Sequence, residues 1–445
     1  MACVIVSLAC LAGQQEHHSK GNPMIASFRS SLLVIVTCVL GAFSFGAVAA
    51  EKADESNPLA SIPLRAIGPA ITSGRISDFA FYPGRNQEFL VATAAGGLWK
   101  TDNAGITWTP LFDNEASYSI GVVELDPNDL KTIWVGSGEN NAQRSVSYGD
   151  GVYKSVDGGA SWSNMGLKDS GHISQIWINP KDSDEVLVAA QGPLWSDGGD
   201  RGLYKTLDGG KTWNRILEID KHTGINEFVV DPRNPELIVA SSYQRRRHVW
   251  TLINGGPGSG IHKTTDGGKT WTRISAGLPK DHMGRIGLAA APSEPDMIYA
   301  IIEANDEEKG LYRSTDFGNN WSKRSSYMTT SPQYYNELVV DPHNPERLYS
   351  LNTFTNKSED GGVNFAPIST QWRHVDDHAL WIDPENTRHL YIGGDGGVYE
   401  TWDRGDTWRH VRNLSIAQFY RIQPDNESPF YNVCGGTQDN NSLCG

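Results

Sequence analysis

One eight-residue signature, Ser/Thr-x-Asp-x-Gly-x-x-Trp, recurs along most of this chain. A chain that repeats one turn so regularly folds as copies of one small unit. Clear copies run from Ser155 to Trp162, Thr206 to Trp213, Thr264 to Trp271, Ser314 to Trp321 and Thr401 to Trp408. Two more are altered: Thr101 to Trp108 carries Asn103 in place of the Asp, and Ser358 to Phe365 closes on Phe. The closing aromatics lie about 43 to 58 residues apart, which is room for one four-stranded antiparallel sheet per copy. The chain therefore reads as all-β, a β-propeller of about seven four-stranded blades.

Each unit repeats the same order of local signals. A Gly-led alternating segment precedes the turn, as in Gly151-Val152-Tyr153-Lys154 and Gly202-Leu203-Tyr204-Lys205, and reads as a half-buried strand. Upstream, apolar strands end in Asp-Pro or Asn-Pro turns, such as Val122 to Leu125 before Asp126-Pro127. In the signature turn the acid accepts the turn's own amides, the Gly permits positive φ, and the aromatic covers the gap between sheets. Asp157, Asp208, Asp266, Asp316 and Asp403, with Trp162, Trp213, Trp271, Trp321 and Trp408, are accordingly scaffold residues.

The repeats place the propeller at residues 61–410, after a linker at 51–60. Residues 411–445 begin a further unit, with Gln418 to Ile422 as its strand. Two outcomes are open for it: the start of a second propeller in a longer protein, or a segment that returns to complete the first blade. Residues 1–50 read as an atypical prefix and a signal peptide. Arg29 precedes the apolar stretch Leu32 to Phe43, and Ala47-Val48-Ala49 supplies a small-residue cleavage site. The true start is expected at Met24, and the protein in the periplasm or outside the cell. Cys3, Cys10 and Cys38 fall in that segment, leaving Cys434 and Cys444 as partners for one disulfide. The net charge of −14 excludes a nucleic-acid backbone as partner, and no membrane span is expected in the mature chain. The one dense basic run, Arg245-Arg246-Arg247, reads as a solvated loop.

Several longer motifs resemble a known group. They are Gly138-Glu139-Asn140, Tyr148-Gly149-Asp150-Gly151, Arg201 to Trp213, Gly284-Arg285-Ile286-Gly287, His374 to Trp381 and Gly435 to Asn440. With the repeated turns, they resemble secreted bacterial proteins of the sortilin-N-terminal-like, BNR (Asp-box) repeat class, often labelled glycosyl hydrolases. The resemblance runs from about Ile62 to the C-terminus and implies a tandem double propeller of which this chain is the first half. Xyloglucan-hydrolysing relatives carry an Asp in a Thr-Asp-x-Gly-Gly strand of the first blade. The matching stretch here is Thr93-Ala94-Ala95-Gly96-Gly97, so Ala94 stands where that acid is expected. Sialidase-like chemistry finds no support either, since Gly74-Arg75-Ile76 is not followed by Pro.

The densest chemistry is His374, Asp376, Asp377 and His378. If the segment enters an inner strand, residues 374, 376 and 378 share a face. His374, Asp376 and His378 then make a candidate divalent-metal set or an acid–base group, the other reading being a hydrogen-bonded network. Glu139, with Arg144 in the same polar loop, and Asp395, within Gly393-Gly394-Asp395-Gly396-Gly397, are further candidate acids. Arg75, Tyr148, Asp377 and Asp439 complete the candidate ligand-binding set, and Trp195, Tyr243 and Trp250 are aromatics available to a sugar. The leading expectation is a propeller presenting a glycan- or protein-binding face. A glycoside hydrolase completed by a second propeller, and a sortilin-like sorting or assembly factor, are the alternatives.

Overall fold

The computed structural model describes residues 74–141 and 146–445. The expected signal segment, the linker, residues 61–73 and Arg144 lie outside the described residues. The described chain is all-β and contains eight antiparallel sheets, each formed by strands consecutive in sequence. The first seven run from Ile76–Phe81 to Arg409–Val411. Six of these have four strands, and the fourth gains a fifth strand, Thr251–Asn254, which pairs with Arg245–His248. The eighth has three strands, Phe419–Pro424, Val433–Thr437 and Ser442–Cys444. Among the described residues no helix is long and apolar enough to cross a membrane.

Apolar burial between neighbouring sheets supplies most of the cohesion. Leu90, Ala92 and Leu98 of the first sheet pack on Ile120, Val123 and Val135 of the second, and equivalent clusters join successive sheets as far as the seventh. A further cluster joins the first sheet to the seventh, with Ile76, Phe89 and Val91 against Ala379, Tyr391 and Val398. Leu414 and Ile416, which follow the seventh sheet, cover that same seam.

The signature turns act locally and between sheets. Asp208 Oδ1 accepts from the Thr206 hydroxyl at 2.7 Å and from the Thr212 amide at 2.9 Å, while Trp213 Nε1 donates to Met165 O of the preceding sheet at 2.8 Å. Asn103 makes the equivalent bonds in the altered first copy, because an amide oxygen accepts as a carboxylate does. Phe365, lacking an indole N–H, instead stacks on Tyr327 at 3.8 Å.

First strands of neighbouring sheets are pinned side by side by polar side chains. Asp78 Oδ2 accepts the Val123 amide at 2.9 Å, and Gln175 bonds both the amide and the carbonyl of Phe228. Glu227 accepts the Leu288 amide at 2.5 Å. These strands line a cavity of about 300 Å³ that holds the carboxyl groups of Asp78, Glu124, Glu227 and Glu337. Burial pushes Asp78 up to about 7 and both Glu124 and Glu227 up to about 8. In a meander the signature turns and the Asp/Asn-Pro turns share one end, and the connections between second and third strands come at the other. That second end carries the candidate site.

Candidate functional site at the cavity mouth

Arg75 lies just before the first strand and is 4% exposed. Its Nη1 donates to Glu139 Oε2 at 2.7 Å, and its Nε to Asp395 Oδ1 at 2.7 Å. Glu139 follows the second strand of the second sheet, and Asp395 occupies the matching connection in the seventh. One guanidinium therefore holds carboxylates from two other sheets, and its charge also sits over the Tyr334 ring at 4.7 Å. Tyr334 Oη donates to Asp395 Oδ2 at 2.8 Å, and Gln438 Nε2, from the eighth sheet, donates to the same oxygen at 2.8 Å. Glu139 Oε1 accepts the Ser147 amide. Burial alone pushes Asp395 up, but the Arg75 charge and then His378 hold it well below the usual carboxylate range. Burial lowers Arg75 as well, yet Glu139 and Asp395 more than reverse that and keep it cationic.

The His374–His378 segment does not enter a strand as its alternation implies. The strand begins at Asp377, Asp376 has φ +67°, and His378 sits at a register shift between Asp377 and Ala379. Residues 374, 376 and 378 therefore have separate surroundings. His374 Nε2 lies 3.0 Å from Asp439 O and its Nδ1 faces Val375 O. Both ring nitrogens therefore face backbone carbonyls and not a position shared with Asp376 and His378. Burial lowers the His374 pKa, but the Asp439 and Val375 carbonyls and the Asp395 charge raise it overall. His378 is buried between Tyr334 and Tyr335, with Nε2 at 3.5 Å from Asp395 Oδ1. Asp377 is bound to Arg373 and to the Thr355 hydroxyl, so it holds the loop together and does not face solvent.

A different set of carboxylates gathers at the rim. Asp376, Asp395 and Asp439 each bring one oxygen within 4.8 Å of the others, a spacing that suits a hard divalent cation. Asp376 and Asp439, the two less buried members, would present the open side to it. Asp376 accepts from the Tyr335 hydroxyl, and burial together with Asp395 raises Asp439. The Tyr420 hydroxyl lies 3.4 Å from Asp439 Oδ1 with its ring 60% exposed, and Trp372, in the loop leading to Asp376, is 85% exposed.

Of the other sequence candidates, Tyr148 is exposed near His172, at 6.3 Å between ring centroids. Trp195 and Trp250 are exposed, but Tyr243 is buried and is not available to a ligand. Ala94 is fully buried, its amide bonded to Arg75 O. The run Arg245–Arg247 lies on a strand, and Arg245 is 1% exposed, so the solvated-loop reading fails for that residue. Tyr334, Tyr335, Arg285 and Gln438 were not singled out from the sequence as site residues. The signal was positional: Arg75 and Arg285 sit immediately before a first strand, and the Tyr334-Tyr335 pair lies in the loop that leads into one at Leu338.

A family model described as "Sortilin, neurotensin receptor 3" (Sortilin-Vps10) matches residues 203–350. Over 225 residues the chain is 27% identical to the xyloglucanase Xgh74A of Acetivibrio thermocellus, covering 44% of this chain and 24% of that one. It is 24% identical over 193 residues to a chloroplastic photosystem II stability/assembly factor of Cyanidioschyzon merolae, covering 41% of this chain and 40% of that one. Among solved structures, the GH74 xyloglucanase from Xanthomonas campestris superposes with a TM-score of 0.58 at 18% identity, over 85% of this chain and 60% of the other. The chain thus spans less than half the length of the curated relatives it matches. It is a distant, low-identity homologue of xyloglucanase, sortilin and photosystem-assembly β proteins.

Proposed function

We propose that this chain is an extracytoplasmic β-propeller whose loop-bearing face binds an extended glycan without cleaving it. The apolar cluster between the first and seventh sheets supports ring closure, and the signal-like segment ending near Ala49 supports export. The observation that carries the reading is Tyr420 and Trp372, exposed aromatic rings next to or one loop away from the Asp376, Asp395 and Asp439 carboxylates. Flat aromatic faces beside fixed acceptors suit a pyranose, whose C–H face stacks while its hydroxyls donate. Glycosidic cleavage needs one carboxyl to donate a proton while a second attacks or activates water. Glu139 and Asp395 are both tied to Arg75, and Ala94 fills the position of the expected first-blade acid, which weighs toward binding.

One observation favours a second reading, hydrolysis. Asp395 is held low and Asp439 is raised within a single cluster, the kind of split that separates base from acid. Titration calorimetry against neutral and acidic oligosaccharides, run with a reducing-end assay, distinguishes the two. Saturable binding that weakens about tenfold or more in Tyr420→Ala, with no new reducing ends, is the expected result. New reducing ends that vanish in Asp439→Asn would establish cleavage instead. No binding to any glycan, or binding indifferent to Tyr420 and Trp372, would overturn the glycan reading.

A further inference from the structure

The basic run Arg245-Arg246-Arg247 takes no part in the carboxylate rim. Strand alternation separates Arg245 from Arg246. Arg246 pairs with Asp197 at 2.6 Å, and Arg247 lies over the Trp195 ring at 5.9 Å. Arg245 turns inward, where its one hydrogen bond runs from Nη1 to Asn140 O at 3.3 Å. Its Nε and Nη2, which form one edge of the planar guanidinium, have no hydrogen-bond partner among the described residues.

Arg285 stands nearby at the head of the next sheet and is 0% exposed. Its Nη1 donates to Asn141 Oδ1 at 2.7 Å and its Nε to Asn226 Oδ1 at 3.2 Å, while Nη2 makes no hydrogen bond and lies 3.5 Å from Glu337 Oε1. The two guanidiniums thus bracket consecutive residues, Asn140 and Asn141. Arg201 adds a third charge felt by Arg245, with its own Nε unpartnered. Burial, together with the Arg285 and Arg201 charges, pulls Arg245 down to about 9. Burial and then the same positive field lower the His172 pKa.

This side of the mouth contrasts with the Arg75 side. Arg75 has two carboxylates for one charge, whereas Arg245 has no acid within hydrogen-bond distance among the described residues. Glu139, whose charge acts on Arg245, is already taken by Arg75 and the Ser147 amide. A buried cation with a whole donor edge unused is costly unless an anion meets it. The Nε–Nη2 edge matches two oxygens of one planar or tetrahedral group, a fit that chloride does not share.

We propose that Arg245 and Arg285 form a buried receptor for a single oxyanion, a carboxylate, sulfate or phosphate group. The group is either a free ion or the charged substituent of a larger ligand. The receptor is distinct from the Tyr420 and Asp439 rim and does not depend on the glycan reading.

The test is titration of the whole protein with sodium sulfate, inorganic phosphate and acetate at constant ionic strength, with chloride as reference and glucuronate as the larger carboxylate. Calorimetry and melting temperature are the readouts. The expected result is saturable oxyanion binding and a rise in melting temperature that chloride does not give. Arg245→Gln should weaken it roughly tenfold or more, and Arg246→Gln should leave it unchanged. Tighter binding of glucuronate than of acetate marks a ligand substituent, and equal binding marks a free ion. If Arg245→Gln does not fold, Arg245→Lys keeps the charge without the fork and should bind phosphate several-fold more weakly. No saturable oxyanion binding, or affinity unchanged in the Arg245 variant that folds, would overturn the proposal.

Discussion

Arg75 offers the sharpest test of how the mouth is held. Replacing it with Met keeps most of the stem's packing and removes the charge. Glu139 and Asp395, with side chains only 2% and 1% exposed, then lose their shared counterion. Removing one partner of a buried pair costs about 3–5 kcal/mol. The two carboxylates share one cation and act as a single network, so about 4 kcal/mol is expected and not twice that. For a chain of this size the melting temperature should fall by roughly 5 °C.

The pH dependence carries a sign that a simple loss of packing would not give. In the intact protein Asp395 titrates below its unfolded value. Its contribution is therefore present above about pH 4 and is lost as pH falls through the depressed folded value. In Arg75→Met that charge is gone and burial pushes the carboxyl above its unfolded value. The contribution of Asp395 then survives below about pH 4 and is lost as pH rises through the raised value. The gap between the two proteins should be widest near neutrality and shrink in acid. Urea denaturation midpoints across that range measure it, and Arg75→Met/Asp395→Asn should recover at least about 1 kcal/mol at neutral pH. A loss under about 1 kcal/mol, or a gap that does not change with pH, would refute the ion-pair account.

Two other outcomes follow from the buried acids. Glu124 has its folded pKa raised to about 8 by burial and then by Asp78, so its contribution is present below its unfolded value and is lost as pH rises toward 8; Glu124→Gln should flatten the decline in stability between the unfolded value and about pH 8 while leaving the stability below that window unchanged, as read from denaturation midpoints. Millimolar calcium should raise the melting temperature through the Asp376, Asp395 and Asp439 group, and Asp439→Asn should abolish that rise.

The sheets were legible because each depends on local periodicity. Gly202-Leu203-Tyr204-Lys205 alternates, its turn carries Asp208 and Gly210, and Trp213 follows at a fixed offset; none of this needs knowledge of distant residues. The extra hairpin at Thr251–Asn254 was missed because polar Arg245 to His248 gave no apolar alternation to mark a strand. Asp395 and Glu139 were found as candidates because acids in Gly-rich or polar connections between strands are conspicuous. Their roles were not legible, because Arg75 lies 64 residues from one and 320 from the other. Of the His374, Asp376 and His378 set only Asp376 belongs to the carboxylate group, for a narrower reason. Alternation was applied to a segment in which Asp376 adopts positive φ, and a single left-handed residue breaks the two-residue period.

The loop Glu139-Asn140-Asn141 shows why a polar sequence can be the least solvated part of a site. Three such residues read as surface, yet they are 1%, 8% and 2% exposed. Glu139 bonds Arg75 of the first sheet, and the Asn140 carbonyl accepts from Arg245 of the fourth. Asn141 meets Arg285 at the head of the fifth sheet, Glu337 at the head of the sixth and His378 of the seventh. Burying amides and a carboxylate is tolerable only where partners replace water, and here the partners come from five different sheets. The loop therefore works as a hub: each sheet supplies one bond, and no single sheet holds it. A hub in the middle of the mouth leaves the rim as the place where a large ligand meets solvent-facing groups. It also puts the anionic Arg75 side, at Glu139, next to the cationic Arg245 and Arg285 side, at Asn140 and Asn141, along one stretch of three residues. A shift at either end is borne by the same two peptide units.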